Sequence, residues 1–239
     1  MEFTQAFVLH QRPYRETSLL LDVFTADYGR LSLVARGIRQ NKRRHNNPLQ
    51  LFQPLWLNWF GRGDLLTLSK IETTSAPYWL QGHATLCGLY INELLVRLLT
   101  QQQPEPLVFD AYQRVLEGLQ QADQVEQELR LFEKRLLEAL GYGLDLTTDS
   151  DGQPVIEHQH YSYQPDQGLQ PCLKNDIKRI ISGESLLQLQ QENLTNAESL
   201  NETKQLMRLV INYYLGGKPL KSRQLFAEMQ QYAGPKTAN

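Results

Sequence analysis

Hydrophobic and polar positions alternate in short runs along the first 75 residues of the chain. In one run, Leu31, Leu33 and Ala35 alternate with Arg30, Ser32, Val34 and Arg36. A period of two residues is typical of a strand with one buried face, and Gly, Pro and polar residues between the runs indicate turns. The pattern predicts five strands, at Ala6–Arg12, Thr17–Thr25, Gly29–Gly37, Leu51–Phe60 and Asp64–Thr73.

After Ala76 the hydrophobic period changes to three and four residues, which is typical of helices with an apolar face. Helices are predicted near 84–100, 108–119, 125–140, 175–181, 185–190 and 196–215. A polar stretch between them is expected to hold one short hairpin near Val155–Tyr163. A final short helix is expected to begin with Ser222 as its N-cap.

The predicted fold class is α+β: an N-terminal five-stranded OB-fold β-barrel followed by a mostly α-helical domain. A small closed barrel could be of the OB or SH3-like type, and the count of five strands favours the OB fold. The predicted domains are 1–79 and 80–239, with a polar loop or short hairpin inserted at about 144–173.

Charge is distributed unevenly along this chain of net charge −2. Residues 1–80 contain 10 Lys and Arg against 6 Asp and Glu, giving +4, whereas residues 81–239 contain 14 against 20, giving −6. From Tyr28 to Gly63 there are seven basic residues and no acidic one. Such a local field attracts polyanions, although a solvated basic loop stays open as the alternative.

An OB barrel binds single strands by combining a cationic groove with aromatic faces. Basic side chains that neutralise phosphates give a salt-dependent affinity that is largely independent of sequence. The predicted phosphate-binding residues are Arg30, Arg36, Arg39, Lys42, Arg43, Arg44 and Arg62.

Aromatic residues of the same region could stack on bases, although core packing is favoured for each one taken alone. Trp56 and Trp59 would point to opposite faces of their strand, so at least one of them belongs to the core. The candidates are Tyr14, Tyr28, Phe52, Trp56, Trp59 and Phe60.

Motifs for catalysis or metal binding are not found in the sequence. There is no Walker-type phosphate loop and no nucleophile elbow. His158 and His160 lack further ligands at a recognised spacing, and Cys87 and Cys172 favour free thiols over a zinc site. We therefore expect no enzymatic activity, no cofactor and no metal.

No apolar run of about 18 residues occurs, so no membrane contact is expected. The first residues carry an early acid and no cleavable apolar segment. A cytoplasmic, nucleoid-associated location is the expectation.

The predicted helix at 125–140 places Leu129, Phe132 and Leu136 on one side, with Arg130 beside them. A core-facing helix with a solvated rim is favoured by the spacing alone. The alternative is a groove for an acidic peptide with a hydrophobic tip.

Lys218, Lys221 and Arg223 cluster around the paired glycines that end the preceding helix. They either complement the helix dipole or make a further phosphate or partner contact, and both interpretations stay open.

Four runs of the sequence resemble, in order and spacing, the bacterial recombination mediator family RecO, in the form found in gammaproteobacteria. The resemblance extends from Phe7 to about Phe226. The runs are "AFVLHQRPYRETSLLLDVFTADYGRLSLVARGIR", "GLYINELLVRLL", "LLEALGYG" and "YLGGKPLKSRQLF".

The resemblance implies an N-terminal OB fold that binds single- and double-stranded DNA, and a protein that anneals complementary strands. It also implies binding to the acidic C-terminal tail of the single-stranded DNA-binding protein SSB. With RecR, such proteins help RecA to replace SSB on DNA during gap and break repair. By position, the basic strand and loop of the family correspond to Arg36, Arg39, Lys42, Arg43 and Arg44.

The resemblance also implies a role for Arg130 as an arginine that binds the SSB tail, with Leu129, Phe132 and Leu136 as the floor of the site. Some members carry a four-cysteine zinc module between the helices. Residues 141–175 of this chain contain one cysteine, Cys172, so no zinc is expected.

Two other classes of function stay open at this point. An OB-fold RNA-binding protein or adaptor would use the same cations. A hydrolase or nuclease with an unrecognised site is the third class, and the lack of a clustered set of carboxylates argues against it.

Overall fold

A computed structural model describes residues 3–38, 49–173 and 180–232 of the chain. Its first five strands form a closed barrel with the order β1-β2-β3-β5-β4. Strands β3 and β5 pair in parallel, and the other neighbours pair antiparallel. The strands are β1 (Thr4–Tyr14), β2 (Ser18–Thr25), β3 (Gly29–Ala35), β4 (Leu55–Phe60) and β5 (Leu65–Thr73).

The barrel interior is filled by alternate residues of each strand, as the hydrophobic pattern predicts. On β3, Leu31, Leu33 and Ala35 are at most 3% exposed and belong to one apolar cluster. The predicted fourth strand is too long, because Phe52 adopts a left-handed backbone with φ of 61°. A residue in that conformation interrupts an extended chain, so β4 begins only at Leu55.

Six helices lie in the described part of the chain after the barrel, which confirms the predicted fold class. Of the helix predicted at 175–181, residues 175–179 lie outside the described residues, and Ile181 at its end belongs to a strand instead. The helices are α1 (His83–Leu98), α2 (Pro106–Gly118), α3 (Val125–Ala139), α4 (Gly183–Gln190), α5 (Ala197–Tyr214) and α6 (Lys221–Tyr232).

A small second sheet contains β6 (His160–Gln164), β7 (Gly168–Cys172) and β8 (Ile181–Ser182), in the order β7-β6-β8. The hairpin predicted near Val155–Tyr163 is therefore displaced toward the C-terminus. The turn lies at 165–167. It is followed by Gly168, the first residue of β7, which has a positive φ of 76° that other residues rarely adopt.

The chain divides into two compact units, residues 1–120 with 219–239, and residues 121–218. The predicted boundary at 79–80 marks the change from strands to helices, but α1, α2 and α6 join the barrel in the first unit. Asn92 of α1 donates from Nδ2 to the carbonyl oxygen of Leu9 at 3.0 Å, and the rings of Phe7 and Tyr112 lie 5.1 Å apart. These buried contacts bind the helices to the barrel.

Helix α6 begins at Lys221, two residues before the first helical position predicted, and Ser222 is not its N-cap. Instead, the carboxylate of Glu93 from α1 accepts the first amides of α6. Oε1 accepts from the Lys221 amide at 2.9 Å, and Oε2 accepts from the Ser222 amide at 2.8 Å and from its hydroxyl at 2.7 Å. A cap supplied by a residue so distant in sequence leaves no local signal at the helix start.

Among the helices described, none combines the length and the apolar character needed to cross a membrane. Across residues 3–38, 49–173 and 180–232, no three His, Cys, Asp or Glu side chains come together as a group that could hold a metal ion.

Candidate nucleic-acid interface

The outer face of the barrel presents a row of residues that are Cα partners across all five strands. Leu33, Leu66 and Trp59 belong to the barrel core, so their neighbours in sequence face outward. We call this set the outer row, and its members are Arg12, Leu20, Val34, Thr67 and Phe60.

A concave pocket of about 630 Å³ lies against this face, between the β1–β2 turn and strands β3 and β5. OB folds bind oligonucleotides at an equivalent place, on the face of strands 2 and 3 flanked by the turns that follow strands 1 and 4. The pocket is lined by Tyr14, Arg15, Glu16, Thr17, Ser18, Val34, Arg36, Leu65 and Thr67.

Two arginines supply the positive charge of this pocket. Arg36 follows β3, and its side chain is exposed. Arg15 lies in the β1–β2 turn with φ of 51°, and its guanidinium carbon is 5.3 Å from the centre of the Tyr14 ring. Glu16 is the acid among the lining residues, so the lining carries a formal charge of +1.

Arg12 and Arg15 were not among the residues selected from the sequence. Both lie outside residues 28–63, the acid-free run from which the phosphate-binding residues are predicted. A usable signal was present, because the loop after the first strand of an OB barrel flanks its binding face. Arginines next to the predicted turn at Pro13 could have been chosen on that ground.

Arg62 occupies the β4–β5 turn, between Gly61 and Gly63, and is exposed. Asp64 follows in the same turn and is also exposed. Arg62 therefore lies at the end of the barrel where the second flanking loop of an OB binding face is expected.

Arg30 has contacts that give it a different role from the predicted one. Its side chain is 14% exposed, Nε donates to the carbonyl oxygen of Leu99 at 3.1 Å, and Nη1 lies 3.5 Å from Oδ1 of Asp22. Burial lowers the pKa of Arg30, and the charge of Asp22 opposes that effect. Because the guanidinium connects the barrel to the segment after α1, we remove Arg30 from the phosphate-binding set.

Four of the predicted phosphate-binding residues lie outside the described residues: Arg39, Lys42, Arg43 and Arg44. The described chain stops at Ile38 and resumes at Leu49.

The aromatic candidates separate into core and surface residues. Trp59 is 8% exposed and belongs to the barrel core, which confirms that at least one of the tryptophans Trp56 and Trp59 is a core residue. Phe52 is also buried, at 7% exposed. Tyr28 is 45% exposed and packs its ring edge-on against Trp59 at 5.1 Å. Phe60 is 53% exposed at the end of the outer row.

Helix α3 of the second unit buries the residues that were predicted to form a peptide groove. Leu129, Phe132 and Leu136 are 5%, 1% and 0% exposed, so they form interior packing and no open floor. This burial agrees with the core-facing helix that the spacing of three and four residues favours.

Arg130 is also buried, with 3% of its surface exposed. Its Nη2 donates to Oε1 of Glu133 at 3.1 Å, whereas Nε and Nη1 have no hydrogen-bond partner. A buried guanidinium with unused donors is costly, because those donors have lost water without gaining an acceptor.

Arg135 of α3 forms an ion pair with Glu192, which also accepts a hydrogen bond from buried Lys134 at 3.3 Å. The hydrogen bond from Arg135 lowers the pKa of Glu192 against the opposing effect of burial. These cations are therefore paired within the unit.

The three cations near α6 divide between the two units. Lys218 belongs to the second unit and is exposed, and Lys221 is exposed at the start of α6 in the first. Arg223 packs its guanidinium 5.5 Å from the centre of the Tyr90 ring and donates to the Tyr90 hydroxyl at 3.3 Å. Arg223 thus has a packing role within the first unit.

Comparison with protein families finds two models that together cover most of the chain. "Recombination protein O N terminal" matches residues 1–77, and "Recombination protein O C terminal" matches residues 80–224. The division between the two matches coincides with the change from barrel strands to helices.

Several curated proteins are similar over nearly their whole length, and each bears the name DNA repair protein RecO. The protein of Coxiella burnetii (strain RSA 493 / Nine Mile phase I) is 47% identical over 221 residues, covering 92% of this chain and 95% of the relative. That of Nitrosococcus oceani is 43% identical, covering 95% and 93%. That of Aliivibrio fischeri (strain ES114) is 41% identical, covering 93% and 94%. The chain therefore belongs to the RecO family of DNA repair proteins.

Proposed function

We propose that this chain binds the sugar–phosphate backbone of DNA on the outer face of its barrel and acts as a recombination mediator. In this proposal it anneals complementary strands and, with RecR, helps RecA to replace SSB on single-stranded DNA. The observation that carries the proposal is the pocket at the β1–β2 turn, where Arg15 and Arg36 line a concave surface on the outer face of the barrel.

Annealing needs no bound nucleotide in this proposal. Two DNA strands repel each other through their phosphates, and a cationic surface that holds both reduces that repulsion. Affinity of this kind is salt-dependent and largely independent of sequence.

The test replaces Arg15 and Arg36 together with glutamine and measures the binding of a single-stranded oligonucleotide at several salt concentrations. Each lost phosphate contact flattens the slope of log K against log[salt] by about 0.7, so the double variant should lose about 1.4 in slope. Arg114→Gln, an exposed arginine on α2, is the matched control and should keep the wild-type slope. An unchanged slope in the double variant would falsify the assignment of the pocket.

Competition with RNA separates the two nucleic-acid functions. An RNA oligonucleotide of the same sequence should displace the DNA only at higher concentration. Displacement by RNA at lower concentration than by DNA would instead favour the RNA-binding class.

For the SSB tail we propose helix α3, with Arg130 as the group that receives a carboxylate. The proposal is supported by the two guanidinium nitrogens that lack acceptors. Because Leu129, Phe132 and Leu136 are interior, the tail would have to enter between side chains that are closed in this structure. Binding is then expected to require a local opening of the unit.

A charge-free replacement of the buried pair tests this proposal without leaving an isolated buried charge. Replacing both Arg130 and Glu133 with methionine removes the cation while keeping apolar volume, which is often close to neutral for stability. The variant should keep its DNA affinity and lose affinity for a tail peptide, measured by fluorescence anisotropy. Wild-type peptide affinity in a folded variant would remove Arg130 from the site.

A further inference from the structure

Phe60 is a large apolar side chain that the fold leaves in solvent. It is the last residue of β4 and is 53% exposed, while its neighbour Trp59 turns into the barrel core. Among the described residues its ring makes no contact with another aromatic ring, in contrast to the pair of Tyr28 and Trp59. Packing within the barrel therefore does not account for its position.

The outer row connects Phe60 to the cationic pocket. Thr67 is its Cα partner on β5, and Val34 is the partner of Thr67 on β3. Both residues line the pocket. With about 4.8 Å between neighbouring strands, Phe60 lies about 10 Å from β3, the strand that Arg36 follows.

Charge around Phe60 suits a polyanion that crosses the row. Arg62 follows two residues later in the β4–β5 turn and is exposed, whereas exposed Arg12 lies four strands away at the other end of the row. Asp64 is the acid of that turn, and it restricts where a phosphate can pass. A ligand with a negative backbone and flat apolar faces fits this combination of cations and one exposed ring.

We propose that Phe60 is a stacking platform for a base of single-stranded nucleic acid, and that it makes the barrel prefer single strands to duplex. This inference rests on the proposed function, in which the backbone lies in the Arg15–Arg36 pocket. A base can cover an aromatic ring only when it is free of its own stack, so duplex DNA would use the arginines without using Phe60.

The experiment measures the binding of Phe60→Leu to a thymidine oligonucleotide and to an abasic oligonucleotide of the same length. The leucine keeps apolar bulk on the strand and removes the aromatic face. The expected result is an affinity for the thymidine oligonucleotide lower by about 10-fold, as for the loss of one stacked base. Affinity for the abasic strand, which has the phosphates alone, should change less than about 2-fold, since salt-dependent phosphate contacts remain.

Two further variants keep the result interpretable. Phe60→Tyr retains an aromatic face and should bind both strands as the wild type does. Trp79→Leu removes an aromatic side chain that is 69% exposed but lies outside the outer row, and it should leave both affinities unchanged.

Equal losses on the thymidine and abasic strands, or unchanged binding by Phe60→Leu, would overturn the stacking role. Either result would leave backbone binding intact. Failure of the proposed function has a different signature, because the wild-type protein would then show no salt-dependent affinity for either strand.

Discussion

Replacing Glu93 with alanine is expected to release α6 from the barrel unit. The Glu93 carboxylate is 18% exposed and accepts three hydrogen bonds from Lys221 and Ser222 at 2.7–2.9 Å. It also lies 3.7 Å from Nη1 of Arg97, which donates to the carbonyl oxygen of Pro219. Two side chains of α1 thus hold this segment: Glu93 holds the start of α6, and Arg97 holds Pro219, two residues before it.

The magnitude follows from these contacts. Hydrogen bonds to a charged group contribute about 1.5–3 kcal/mol each, and the loss of a helix N-cap costs about 0.5–2 kcal/mol. The three bonds share one carboxylate and are not additive, so we expect α6 to lose about 2–4 kcal/mol of docking free energy. The effect should be concentrated in α6, because local elements can open without global unfolding.

Acid should act in the same direction on the wild-type protein. Burial raises the pKa of Glu93, but the hydrogen bonds from Ser222 and Lys221 and the charge of Arg97 outweigh it and hold the pKa below its usual 4.5. A carboxyl group whose pKa is lower in the folded state contributes its full stabilisation at a pH above its unfolded-state pKa. That contribution is lost as the pH falls through its folded-state pKa. The docking of α6 should therefore weaken below about pH 4.5 in the wild type and depend less on pH in Glu93→Ala.

Amide hydrogen exchange at 221–232 measures this directly. Protection should fall in Glu93→Ala and stay at the wild-type level in the control Asp110→Ala, which removes an exposed carboxylate of α2. Wild-type protection of α6 in Glu93→Ala, together with the same dependence on acid, would refute the reasoning.

Two further substitutions test contacts that the fold depends on. Gly29→Ala would place a Cβ 1.8 Å from the carbonyl oxygen of Gln103 at φ of 67°, so a loss of about 2–4 kcal/mol in urea denaturation is expected. Gly37→Ala has a similar φ of 70° with nothing within 4 Å, and a cost as large as that of Gly29→Ala would contradict the clash. Glu202→Ala removes the acceptor for the Ser182 amide at 2.9 Å and hydroxyl at 2.7 Å before α4, and should lower stability by about 2 kcal/mol in thermal unfolding. A midpoint equal to that of the wild type would show that solvent replaces Glu202.

The barrel could be predicted from the sequence because the hydrophobic residues within each strand indicate which face of that strand is buried. Leu31, Leu33 and Ala35 belong to the barrel core whereas the residues between them do not, and alternate residues of the other strands belong to the same core. The boundary that failed was at Phe52, whose left-handed backbone has no signature in a hydrophobic run.

The candidate site could be predicted only in part. The sequence shows where positive charge is concentrated, but it does not show which of those side chains face solvent. An acid-free run identifies where cations concentrate, and Arg36 is exposed beside the pocket. It does not show that Arg30 meets a carbonyl oxygen 69 residues away at Leu99. Contacts between residues so distant in sequence decide whether a cation faces solvent.

The burial of Arg130 illustrates the same limit on a helix. Leu129, Phe132 and Leu136 define an apolar side from spacing alone, but spacing does not show how far that side extends around the helix. The structure extends it to Arg130 and Glu133, which are 3% and 0% exposed.

The return of the chain to the barrel unit at Pro219 has a consequence for synthesis. Between Gln120 and Pro219 the ribosome must add the 98 residues 121–218, which takes about 5–20 s at about 5–20 residues per second. During that interval His83 and Tyr90 of α1 lack their later neighbours Phe226 and Arg223. The barrel strands are therefore synthesised long before α6, and the first unit is complete only after this last helix has been made. In the meantime chaperones or DNA can bind the unit while α1 lacks its contacts with α6.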